Sequence, residues 1–98
     1  MMNSINLTLI STFFLCGLAQ AAPNEGVCLG LAKVAYLHAE GRDLGITESE
    51  AIAEKKLIKH KKQREAGLLI ISYVYTVAMD KNTIRQMVYA KCLMGEYE

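Results

Sequence analysis

The sequence predicts an all-α protein: a small bundle of about four helices closed by one disulfide between Cys28 and Cys92, in a single domain at 22–98 behind a signal peptide at 1–21. Three observations carry this. Cys28, Ala32, Ala35 and Ala39 recur at three- and four-residue steps, the period of a helix face. Ile84, Val88 and Cys92 repeat at four-residue steps near the other end, which turns the second cysteine inward. Only the apolar run from Gly67 to Met79 also alternates like a strand, and a lone strand would have no partner.

The run Leu7 to Leu18 is almost wholly apolar and ends in Ala19, Gln20 and Ala21, the small-x-small pattern of a signal-peptidase site. It falls short of the ~20 residues that span a bilayer. No Lys or Arg precedes it, a departure from the bacterial pattern. Cys16 follows Phe14 and Leu15, where a lipoprotein signal wants a small residue, so it belongs to the apolar signal core. Taking 21 of the 98 residues away leaves 77, and all 11 Lys and Arg and all 10 Asp and Glu remain. The net charge stays at +1, which argues against a dedicated nucleic-acid binder. Phe13 and Phe14 leave with the signal, so the remaining aromatics are tyrosines.

A domain this small buries a limited share of its surface and gains from a covalent staple. Two cysteines left in an exported chain normally pair. Closing a loop of about 64 residues contributes roughly 4 kcal/mol in the chain-entropy model. The cysteines form no CxxC pair and no histidine cluster accompanies them, so metal binding and redox chemistry are not expected.

The elements follow in order. Ala22 to Gly26 is a leader containing the only proline, Pro23. Val27 to Glu40 is helical, with Gly41 as its stop. Gly41 to Gly45 forms a loop. Thr47 then opens a second helix through a capping box with Glu50, and its glutamates precede the cations Lys55 to Arg64, an order that complements the helix dipole. Ala51, Ile52, Ile58 and Leu57 face the core. Gly67 to Met79 is read as a helix with Ser72, Thr76 and Asp80 on a polar stripe and the rest buried, and at 13 residues it is too short to cross a membrane. A last helix runs from about Thr83 to Met94, capped by Asn82 or Thr83.

No constellation of nucleophile, base and oxyanion site is present, so an enzyme is not expected, and no cofactor or metal is expected either. Lys55, Lys56, Lys59, Lys61, Lys62 and Arg64 form a candidate patch for an anionic surface, with a solvated helix end as the plainer use. His38 and His60 lie on separate elements without further ligands. Ser49 and Ser72 lack nucleophile-elbow glycines. Asp43 beside Arg42 suits an ion pair or a turn better than acid–base work with Glu40. Tyr36, Tyr73, Tyr75 and Tyr89 serve equally well at a binding surface or a core edge.

Cys28, the segment Arg42-Asp43-Leu44-Gly45, the tyrosine-bearing helix at Tyr73 to Tyr75, and Cys92 together resemble uncharacterised small exported two-cysteine helical proteins of Gram-negative bacteria. The resemblance implies a helical, disulfide-closed periplasmic protein and brings no catalytic residues. In style it is also similar to periplasmic immunity proteins. The expected function is therefore that of a non-enzymatic cell-envelope factor, periplasmic or secreted, which binds another protein as an inhibitor or immunity factor does. Binding of anionic envelope surfaces through Lys55 to Arg64 is the alternative. The surplus of apolar residues from Gly67 to Met79 leaves room for a homodimer.

Overall fold

A computed structural model describes residues 24–98, and the signal-peptide reading, Cys16 included, lies outside them. Within them the protein is all-α, with helices α1 (Glu25–Asp43), α2 (Glu48–Lys55), α3 (Lys61–Thr76) and α4 (Lys81–Leu93) and no strand. Cys28 and Cys92 form the disulfide, with 5.4 Å between their Cα atoms.

Each helix starts on a side chain that accepts an otherwise orphaned backbone N–H. Asn24 accepts from Val27, Thr47 from Glu50, His60 from Gln63 and Asp80 from Thr83. The capping box of Thr47 and Glu50 is present in both directions, with the Glu50 carboxylate accepting from the Thr47 N–H at 2.9 Å. The last helix is capped not by Asn82 or Thr83 but by Asp80, whose carboxylate reaches the Thr83 N–H at 2.6 Å. Asp80 is thus released from the stripe on α3, which ends at Thr76.

α1 does not stop at Gly41. It runs to Asp43 and ends in a Schellman turn, in which Gly45, at φ +100°, sends its N–H to Arg42 O while the Ile46 N–H returns to Gly41 O at 2.9 Å. Gly41 lies under Ile46, whose Cδ1 would be 3.1 Å from a Cβ placed there, so any larger residue makes the Ile46 side chain give way. α4 ends the same way through Gly95, at φ +85°, so Cys92 lies in its last turn.

The second helix ends at Lys55, much earlier than the run of cations suggests. His60 then starts α3, which places Lys61 and Lys62 in a first turn where they oppose the helix dipole. Burial of Ala66, Gly67, Ile70, Ile71 and Val74 outweighs that opposition, since tertiary packing of an apolar face supplies most helical stability in proteins.

α1 packs chiefly on α4 and then on α3, and α2 lies on α3. The buried face of α1 is Cys28, Ala32, Ala35 and Ala39, and that of α4 is Ile84, Val88 and Cys92. The alanines let α4 come close. Ile70 and Val74 complete the core, with Tyr73, Tyr75, Met79 and Tyr97 packed around it. Three expected core positions differ: Leu57 points into solvent, and Leu69 and Ala78 are also exposed.

Candidate functional site

Beside the buried seam of α1 and α4, the next stripe of each helix lines a groove of about 570 Å³. α1 supplies Leu29, Ala32, Lys33, Tyr36 and Leu37, at the three- and four-residue steps that keep residues on one face, and α4 supplies Arg85, Gln86 and Tyr89. Leu29 and Leu37 are more than half exposed. Lys81 Nζ and the Arg85 guanidinium carbon each lie 5.2 Å from the Tyr36 ring centroid, within cation–π range. Lys81 is also held by Glu40 at 3.1 Å, and that contact, with Tyr36, raises its pKa above the ordinary value. Lys33 and Arg85 have no carboxylate partner among the described residues. The groove is therefore an apolar slot edged by positive charge.

Arg42 explains the Arg-Asp-Leu-Gly segment. Its guanidinium donates to Val74 O at 2.8 Å, to Val77 O at 3.3 Å and to Met79 O at 2.8 Å, capping carbonyls that the end of α3 leaves without helical partners. Asp43 Oδ1 accepts from its Nε and Nη2 at 3.1 and 3.0 Å and orients the fork. The Tyr75 hydroxyl donates to Ile46 O at 2.7 Å beside it. Of the two readings of Asp43, the ion pair is present, while Asp43 itself ends α1 and the turn follows at Leu44 and Gly45; the segment is a clamp between α1 and α3.

The basic segment divides in two. The Lys55 stem lies over Gly67, and burial lowers the pKa of its ammonium. Arg64 donates to Ile58 O at 3.0 Å and closes the α2–α3 loop. Lys56, Lys59, Lys61 and Lys62 are exposed and enter no ion pair among the described residues.

His38 faces Ala51, Glu54, Lys55 and Ile58 across a small cavity, and burial, then Lys55, lowers its pKa. His60 is the cap of α3, Ser49 is exposed in the first turn of α2, and the Ser72 carbonyl accepts from the Thr76 hydroxyl at 2.6 Å. Tyr36 and Tyr89 line the groove, whereas Tyr73 and Tyr75 edge the core. Tyr97, half-buried against that core, has its hydroxyl pushed up to about 12, first by burial. No group of three metal-ligating side chains occurs among the described residues, and no helix there is long and apolar enough to cross a membrane.

Sequence reasoning missed the groove, although its signal was present: Leu29, Lys33, Tyr36 and Leu37 repeat at helical spacing beside the alanine face. No protein family, curated protein or solved structure matches this chain.

Proposed function

We propose that this is a non-enzymatic, protein-binding factor of the cell envelope, inhibitor-like or immunity-like, exported to the periplasm or beyond, which takes its partner in the groove between α1 and α4. The observation that carries the reading is the groove itself, an apolar slot more open than a core and edged by Lys33 and Arg85. Apolar floors with a few placed polar groups are the usual anatomy of a recognition site. The disulfide supports a location outside the cytoplasm. The helices on both walls are joined covalently beside it, so the slot is preformed and little ordering entropy is lost on binding.

The chemistry selects an apolar partner side chain flanked by carboxylates. The test is affinity capture from periplasmic extract with the oxidised protein and with its Leu37→Asp and Arg85→Glu variants. A stoichiometric partner retained by the parent and lost by both variants supports the reading. A partner bound equally by all three overturns the assignment to this groove.

A further inference from the structure

Independently of the groove, we propose that the α2–α3 loop is a docking tip for an anionic lipid bilayer, with Leu57 as its inserted residue and Lys56, Lys59, Lys61 and Lys62 as its headgroup contacts. The loop divides its two apolar residues. Ile58 turns inward, where it lines a cleft with Val27, Leu31 and Gly67, and Leu57 turns outward at 78% exposure. A leucine held so far into solvent, with four unpaired ammonium groups within five residues on either side, combines the two attractions of a peripheral membrane contact.

The tip is rigid. The N–H groups of Leu57 and Ile58 donate to Glu54 O and Lys55 O at 3.2 and 3.1 Å, and Arg64 ties down the carbonyls of Ile58 and Lys59. Arg64 and Lys55 are thereby spent on the fold, so the contact belongs to the other four cations. From Glu54 to Glu65 the chain has six cations against two carboxylates, and neither carboxylate pairs with any of them. The surplus of positive charge suits phosphate-bearing headgroups, and the outward leucine suits the acyl boundary beneath them. A soluble polyanion would use the charge but not the leucine.

The test is co-sedimentation of protein beginning at Ala22, with its disulfide intact, on vesicles of equimolar phosphatidylglycerol and phosphatidylcholine and on pure phosphatidylcholine vesicles. Binding is expected to the mixed vesicles alone and to fall with salt. Leu57→Ser lowers it about tenfold, and each lysine changed to glutamine lowers it about fivefold. Leu37→Asp, in the groove, leaves it unchanged, so failure here is distinguishable from failure of the groove. Equal binding to both vesicle types overturns the proposal. So does a Leu57→Ser variant that binds like the parent while the lysine variants lose binding, because that outcome assigns the patch to a soluble polyanion. Far-UV circular dichroism checks that each variant is folded.

Discussion

The guanidinium of Arg42, on α1, donates to the carbonyl of Met79, 37 residues later, at 2.8 Å, and its other terminal nitrogen reaches Val74 O at the same distance. One side chain thus holds the end of α3 and the turn into α4 against α1. Charge-assisted hydrogen bonds to partly buried acceptors are among the stronger polar contributions to a fold, and losing several together leaves carbonyls unpaired. Arg42→Ala should lower unfolding free energy by about 2 to 4 kcal/mol. Arg42→Lys should recover less than half of that, because an ammonium cannot span the separate carbonyls as a planar fork does. Urea denaturation checks both, and a lysine variant as stable as the parent would show that charge alone suffices.

Removing the disulfide with Cys28→Ser and Cys92→Ser should cost about 4 kcal/mol in the chain-entropy model. That is a large share of the roughly 5 to 15 kcal/mol stability of a typical domain. Both sulfurs are buried, so the serines also leave hydroxyls in the core. The expected result is a much lower urea midpoint for the double variant and the same direction of change on reduction of the parent. Coincident midpoints would falsify a structural role for the bridge.

His38 makes stability depend on mildly acid pH. Its folded pKa lies below the ordinary 6.5, first through burial and then through Lys55, with Glu54 acting in the opposite sense. The unfolded chain therefore takes up the proton first, so the contribution of neutral His38 is complete above about 6.5 and is lost as pH falls from there toward the lowered value. His38→Gln should flatten that descent in urea midpoints. Glu50 and Asp80 act at lower pH. Their hydrogen bonds to backbone N–H groups depress both carboxyls, so what they contribute is lost as pH drops below their ordinary 4.5 and 3.8. Asp80→Asn should keep the cap and remove its share of that acid dependence.

Gly67 and Lys55 form a coupled pair. A Cβ at Gly67 would sit 2.5 Å from the Lys55 Cδ, so Gly67→Ala must displace the flexible lysine stem and should stabilise by less than the roughly 1 kcal/mol that the better helix propensity of alanine offers. In a Lys55→Ala background the same change should stabilise by up to about 1 kcal/mol. A double-mutant cycle in urea measures the coupling, and equal effects in both backgrounds would show that the stem yields freely.

Much of the helical architecture was legible. The faces Cys28, Ala32, Ala35, Ala39 and Ile84, Val88, Cys92 are the buried faces, because helical period is a local property that survives any packing. The Thr47 and Glu50 capping box was legible for the same reason. Boundaries were not. Gly41 resembles a stop, yet Gly45 takes the positive φ, and the choice turns on whether Ile46 can fold back onto α1. The break before His60 was hidden within a run of cations that looks like one continuous helix.

Period, the Thr47 capping box and the two cysteines are written in neighbouring residues, and from them the all-α class and the partners of the bridge follow before any packing is considered. Packing decided the rest. Arg42 spans more than 30 residues to its carbonyls, the groove exists only where α1 and α4 lie side by side, and the outward turn of Leu57 depends on Ile58 having claimed the inward place. Each is a contact between residues distant in sequence or a competition for one buried site. Local pattern cannot encode either, because the energy that settles them arises only once the helices meet.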